Sequence, residues 1–137
     1  MPSATVLYDQ DCGFCRWSLA KLLAWDRRRA LTPVPLASPE AGRILDGMPE
    51  EERIASWHLL DSDGRLHSAG AAFPPLLRLL PVGAPLAAIA SRAPRLTDRG
   101  YRWVADHRSG LGRFVTDGAR RRADRRIEGR LRGQMRP

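Results

Sequence analysis

Two cysteines, the only ones among 137 residues, stand three positions apart in the run Asp11-Cys12-Gly13-Phe14-Cys15. The run follows a short apolar segment and precedes a stretch in which apolar residues recur with helical spacing. A thiol at the first turn of a helix lies next to unpaired N–H groups and the positive end of the helix dipole, both of which lower the pKa of a cysteine. A second thiol three residues later lies on the same helical face, close enough for a disulfide. This arrangement suits reversible two-electron redox chemistry.

Two carboxylates accompany the thiols. The negative charges of Asp9 and Asp11 oppose thiolate formation, so we expect a reducing rather than a strongly oxidising protein. A carboxylate beside Cys15 can also accept its proton during exchange. For Asp11, a role as an N-cap or turn residue is an equally good interpretation. The candidate catalytic residues are therefore Cys12 as the attacking thiolate, Cys15 as the resolving thiol, and Asp9 and Asp11 beside them.

A metal site built on the cysteines is the alternative chemistry. Structural zinc needs four ligands, and the sequence contains no second Cys-x-x-Cys. The histidines, His58, His67 and His107, form no His-x-x-x-His pair, and each is better interpreted as a strand-face or half-exposed residue. The prediction is therefore neither a metal nor an organic cofactor, because the electrons would reside in the cysteine pair.

The net charge of +8 is concentrated near the C-terminus. Residues 119–137 carry eight arginines against Asp124 and Glu128, a balance of +6 that leaves +2 for residues 1–118. Because this segment has too few apolar residues for a core, we expect a frayed helix or a disordered basic tail. Contact with nucleic acid, an anionic surface or an acidic partner is one interpretation of the tail, and a solvated tail is the simpler one.

The length fits one domain, which we assign to residues 1–118. The sequence contains no run of about 18 apolar residues that predicts a membrane span. Residues 1–11 lack the basic start and the long apolar stretch of a signal peptide. Cytoplasmic residence follows as the default expectation. In that reducing compartment a Cys-x-x-Cys indicates redox or metal chemistry rather than a structural disulfide.

Hydrophobic periodicity and turn residues predict which elements position the cysteines. The prediction is a strand over 5–8, a helix over 12–27, a proline-containing edge strand over 31–36, a helix from Pro39 after the cap Ser38, a polar helical turn over 49–53, a hairpin over 56–68, and helices over 71–80, 84–91 and 97–108, the last capped by Thr97. A Cys-x-x-Cys between the first strand and the first helix of this order predicts a thioredoxin-like α/β sandwich. The later helices and the arginine-rich tail are additions to it.

The stretch from Val6 to Cys15 resembles the signature of the DCC family of thiol–disulfide oxidoreductases, named for Asp-Cys-x-x-Cys. The resemblance covers roughly residues 4–113 and continues through Pro35-Leu36, residues 68–71, and residues 101–105 as far as Arg108. It implies a thioredoxin-like fold and protein-disulfide reductase activity. The partners that it implies are a disulfide-containing protein or a small thiol, together with an external reductant that regenerates the dithiol.

One departure from thioredoxin-like enzymes concerns the residues before the third strand, where those enzymes generally place a cis-proline facing the cysteines. The corresponding residues, Arg53-Ile54-Ala55, contain no proline. We therefore expect a narrow rather than a general disulfide reductase activity. The competing function is a non-catalytic interaction module, with the thioredoxin-like body as a scaffold and the basic tail as the contact.

Overall fold

A four-stranded mixed sheet forms the centre of the protein in the computed structural model, which describes residues 3–135. The strand order is β2-β1-β3-β4, with β1 parallel to β2 and antiparallel to β3. Pro33 and Pro35 lie in β2 at the edge of the sheet, where a missing N–H donor is tolerated. The strands are β1 Ala4–Tyr8, β2 Leu31–Pro35, β3 His58–Leu60 and β4 Leu66–Ser68.

Seven α-helices are present in the described part of the chain. They are α1 Gly13–Trp25, α2 Pro39–Ile44, α3 Glu50–Ala55, α4 Phe73–Leu79, α5 Ala84–Arg92, α6 Pro94–Leu111 and α7 Asp117–Met135. Ser38 caps α2 as predicted, since its hydroxyl accepts the Ala41 N–H at 3.2 Å. The predicted cap of α6 is wrong: α6 begins at Pro94, and the Thr97 hydroxyl instead donates to the Ala93 carbonyl at 2.9 Å. No helix among residues 3–135 combines the length and the apolar character needed to span a bilayer.

The side chains of β1 alternate between two hydrophobic layers, as the period of a strand requires. Val6 and Tyr8 pack into a cluster that includes residues of α1, α4 and α7, whereas Leu7 packs on the other face with residues of β2 and α2. The sheet is therefore covered on both faces. This confirms the predicted thioredoxin-like α/β sandwich and fixes the end of β1, from which the chain enters the Cys-x-x-Cys.

The expected frayed or disordered segment over 119–137 differs from the structure, in which Asp117–Met135 is one 19-residue helix. This helix, α7, packs along α1 and contacts β2. Ala123 and Ile127 are buried at its contact face, four residues apart. The physical reason for the difference is that α7 needs only a narrow apolar stripe, because α1 supplies the other half of the interface. Arg136, counted above in the basic segment, lies outside the described residues.

A buried ion pair completes the attachment of α7. Arg130 is only 8 % exposed, and its Nη1 donates to Asp26 Oδ2 at 2.7 Å. The same guanidinium donates to the carbonyl oxygens of Leu31 and Leu23 at 3.0 and 3.1 Å. Asp26 in turn accepts the backbone N–H groups of Ala30 and Leu31. Each buried charge is thus paired and hydrogen-bonded, which is the condition under which such burial is tolerated.

Candidate active site

Cys12 occupies the N-cap position of α1, and three residues separate it from the end of β1. Its Sγ accepts the backbone N–H of Cys15 at 3.2 Å, which is the bond that a serine or aspartate cap would accept. The sequence-based helix start at Cys12 is therefore within one residue of the structure. The cap is the cysteine itself rather than Asp11, so the sulfur lies at the positive end of the α1 dipole.

Cys15 lies one turn further into α1, and both cysteines are free thiols in the structure. The pKa of the Cys15 thiol is raised to about 12, mainly by burial and further by Cys12, which acts both as a hydrogen-bond partner and as a charge. Arg108 acts in the opposite direction, while Asp9 adds to the increase. At neutral pH Cys15 is therefore a protonated, partly buried thiol, one turn from the N-terminus of α1.

Asp9 is the carboxylate that contributes to the raised pKa of Cys15. It lines the same cavity as Cys15, and its Oδ2 is 3.8 Å from Nη1 of Arg108 on α6. Its Oδ1 accepts the Asp11 backbone N–H at 3.0 Å. Asp9 and Arg108, which shift the pKa of Cys15 in opposite directions, thus form one ion pair beside it. Arg108 fell within the family resemblance, but nothing in its sequence context marked it as a partner of Asp9.

Asp11 lies apart from this group. Its side chain is exposed, and its carboxylate accepts a hydrogen bond from Gln10 Nε2 at 3.2 Å. The structure therefore brings Cys12, Cys15 and Asp9 together and leaves the Asp11 carboxylate in solvent. The backbone of Asp11, rather than its side chain, contributes to the site, because its N–H holds the Asp9 carboxylate.

The residues before β3 are Ser56 and Trp57, since Arg53-Ile54-Ala55 belongs to α3. Neither residue is a proline. His58 pairs with Leu7 in the antiparallel ladder, so the start of β3 lies beside the end of β1 that leads to the cysteines. The Trp57 backbone N–H donates to the Tyr101 hydroxyl of α6 at 3.2 Å. Sequence analysis missed this contact, which fixes α6 against the position where thioredoxin-like enzymes have their proline.

The first turn of α7 also reaches the cysteines. The guanidinium of Arg120 lies over Gly13, where an added Cβ would come within 3.5 Å of its Nε. The Nη2 of Arg120 donates to the Gly112 carbonyl at 3.1 Å, which holds it there. A Cβ at position 13 would therefore make an ordinary van der Waals contact with this guanidinium. Arg120 and Arg108 therefore flank the Cys-x-x-Cys from the two C-terminal helices, a proximity that no local pattern in the sequence revealed.

A cavity of about 820 Å³ opens beside Cys15 and extends between α1, α5 and α6. We call it the Cys15 cavity. Its charged lining residues are Asp9, Lys21 and Arg108, and most of its other lining residues are apolar. The aromatic lining residues are Tyr8, Phe14, Trp17, Trp25, Trp57, Phe73 and Tyr101. Its volume lies within the range of roughly 300–1,000 Å³ that is usual for ligand sites.

The histidines belong to the scaffold or the surface. Nε2 of His58 is 3.0 Å from the Arg53 carbonyl, to which it must donate, and Nδ1 is 2.6 Å from Ser68 Oγ. Burial lowers the pKa of His58, in agreement with a neutral ring that both bonds satisfy. Among residues 3–135, no group of three or more His, Cys, Asp and Glu side chains is arranged to hold a metal ion.

Comparison with known proteins agrees with this geometry. Residues 6–114, most of the chain, match the model of a family described as DCC1-like thiol-disulfide oxidoreductase. No curated protein and no solved structure matches the chain. The matched range includes the Cys-x-x-Cys, Asp9, Tyr101 and Arg108 but ends before α7. On this match, the chain belongs to the DCC1-like thiol-disulfide oxidoreductase family.

Proposed function

We propose that the protein is a thiol–disulfide oxidoreductase of the protein-disulfide reductase type, with Cys12 and Cys15 as its dithiol. The observation that carries the proposal is the position of the pair. Cys12 caps α1 with its sulfur 3.2 Å from the Cys15 nitrogen, and Cys15 lines an open cavity. A thiol at a helix N-terminus with a second thiol one turn away is suited to attack a disulfide and then resolve the product.

The exchange consists of two sulfur displacements. The Cys12 thiolate attacks one sulfur of the substrate disulfide, forms a Cys12–substrate disulfide and releases one substrate thiolate. The Cys15 thiolate then attacks Cys12 Sγ, forms the Cys12–Cys15 disulfide and releases the second substrate thiolate. Two electrons pass from the protein to the substrate. An external dithiol reductant returns the protein to its reduced form, and no resident cofactor is required.

Resolution requires loss of the Cys15 proton, and Asp9 is the acceptor in this proposal. The carboxylate shares the cavity wall with Cys15, and the Arg108 guanidinium beside it favours the thiolate that remains. A chemical role for the Asp11 carboxylate, which is exposed, stays a prediction. A cytoplasmic location, where a reductant would be available, also stays a prediction.

Reduction of insulin by dithiothreitol tests the proposal. The wild-type protein is expected to accelerate precipitation of the reduced insulin chains, and Cys12→Ser is expected to abolish the acceleration. Cys15→Ser is expected to abolish turnover while accumulating a mixed disulfide at Cys12, because the attack remains and the resolution is lost. Mass spectrometry of the trapped species separates the two variants.

Ser62→Ala is a matched control, because Ser62 is an exposed residue of the hairpin turn, away from the cysteines. It should retain the wild-type rate. Acceleration that survives either cysteine substitution unchanged would exclude the catalytic assignment and favour a non-catalytic module.

A second candidate function is supported by the solvent face of α7. Arg121, Arg122, Arg125 and Arg126 are exposed, and none of the four has an ion-pair partner within residues 3–135. Because α7 is a continuous helix, these charges form a rigid basic surface suited to a polyanionic partner.

A further inference from the structure

We propose that the Cys15 cavity binds an apolar polypeptide segment next to the disulfide that the protein reduces. This inference rests on the proposed function and specifies its substrate class. The first reason is position. Cys15 is itself a lining residue, so a group that fills the cavity lies beside the redox pair. The occupant is therefore part of the substrate rather than a ligand of a separate site.

The chemistry of the walls indicates what kind of group enters. Trp17, Trp25 and Phe73 line the cavity together with aliphatic residues of α5 and α6. Burying apolar surface against such walls is favourable, whereas a charged group there loses its hydration. The substrate group beside the disulfide is therefore bulky and apolar.

The rim of the cavity favours a polypeptide over a compact small molecule. Leu86 on α5 is 48 % exposed, Ile89 is 65 % exposed, and Leu96 on α6 is 68 % exposed, and all three are lining residues. A small ligand confined to the interior would leave these side chains in water. An extended segment that continues outward from the cavity covers them, which accounts for an apolar surface that spans two helices.

The charges of the cavity favour an acidic over a basic residue in the segment. Asp9 is paired with Arg108, which leaves Lys21 as the remaining charged residue among the described residues that line the cavity. Its Nζ lies 5.5 Å from the centre of the Trp17 ring, at the side of α1 that faces the cavity. A carboxylate near the apolar group would meet this ammonium, and a lysine in its place would be repelled.

Two matched peptides test the inference. Each is a disulfide-linked dimer with one cysteine per chain, flanked by Leu and Phe in the first and by Ser and Gln in the second, with one Glu in both. In single turnovers with the reduced protein, the apolar dimer is expected to be reduced at least tenfold faster. Replacing its Glu by Lys should slow it several-fold. Equal rates for the two dimers would overturn the inference and leave the proposed function intact.

Rim variants connect the preference to the cavity. Ile89→Asp and Leu96→Asp change largely exposed side chains, so both should fold, and both should reduce the rate on the apolar dimer about tenfold. Ile54→Asp is the matched control, since Ile54 is 55 % exposed on α3 and does not line the cavity. It should leave the rate unchanged. Equal losses in all three variants would contradict the assignment to this cavity.

Binding can be measured without chemistry. A monomeric apolar peptide with serine in place of cysteine should change the tryptophan fluorescence saturably, and the rim variants should weaken its binding at least tenfold. Binding without reduction of any disulfide would exclude the proposed function, and with it the identification of the bound segment as a redox substrate. Reduction without apolar preference or binding would exclude the inference alone. A stable dimer that buries this rim and is not dissociated by the peptide would identify a second copy as the occupant and overturn the inference.

Discussion

At the scale of single residues, the two thiols of the pair differ in environment although they belong to the same short motif. Cys12 is the cap of α1, while Cys15 is partly buried in an apolar wall, and this burial together with the neighbouring Cys12 raises its pKa to about 12. The thiol at the helix end is the one suited to attack, and the inner thiol must lose its proton before it can resolve. Asp9 and Arg108 shift the pKa of Cys15 in opposite directions, so we expect the pair to act on the second step of the proposed exchange.

Reaction with one equivalent of 5,5′-dithiobis(2-nitrobenzoate) should separate these steps, because each sulfur displacement releases one coloured thiolate. Below pH 12 the thiolate fraction of Cys15 increases tenfold for each pH unit. We therefore expect the slower, second release to accelerate about tenfold per unit between pH 7 and 9. Arg108→Gln should slow this second release by roughly 3- to 10-fold, since it removes a nearby positive charge and leaves Asp9 unpaired.

Arg113→Gln removes the same charge from an exposed position beyond α6 and should change neither phase. A second phase that is independent of pH, or equally slow in both arginine variants, would show that deprotonation of Cys15 does not limit resolution.

At the scale of elements, the parts of the fold that local patterns specify were predictable, and the part that depends on distant partners was not. β1, α1 and the edge strand β2 follow from apolar spacing and from the prolines at 33 and 35. The burial of Arg130 depends on Asp26, which is 104 residues earlier in the chain. No window around residue 130 contains that partner, so the local sequence predicts a solvated arginine-rich segment. The same reason explains why Arg120 was not associated with Gly13.

The attachment of α7 predicts a large difference between two arginines of the same helix. Arg130→Met leaves the Asp26 carboxylate buried without its cation, so we expect the free energy of unfolding to fall by about 3–5 kcal/mol. Arg132→Met removes an exposed pair with Glu128 and should change stability little, because that side chain is 77 % exposed. Urea unfolding followed by tryptophan fluorescence measures both. Equal stabilities of the two variants would mean that the Asp26–Arg130 pair does not hold α7 in place.

At the scale of the whole molecule, the C-terminal region is part of the body rather than an appendage. α6 supplies Arg108 and Tyr101 to the surroundings of the cysteines, and α7 covers α1 while placing Arg120 over Gly13. Removal of residues 119–137 would expose the buried face of α1 and leave Asp26 unpaired. Deleting these residues would therefore remove the arginine charges and disturb the fold at the same time. The role of the basic surface must instead be tested by substitutions that leave the contact face of α7 unchanged.

Four of the exposed arginines of α7, at positions 121, 122, 125 and 126, permit such a test. Replacing all four by Gln retains Ala123, Ile127 and Arg130 at the contact face. If α7 binds a polyanion, the wild-type protein should bind duplex DNA or vesicles of anionic lipid more weakly as salt increases. For DNA, the quadruple variant should reduce the slope of the logarithm of the binding constant against the logarithm of the salt concentration by about 2 to 4, since each phosphate contact contributes about 0.9.

The matched control replaces four exposed arginines outside α7, at positions 92, 95, 99 and 113, and changes the net charge equally. Equal losses in both variants would show that net charge, not the α7 surface, determines binding, and no binding to either polyanion at low salt would exclude this function.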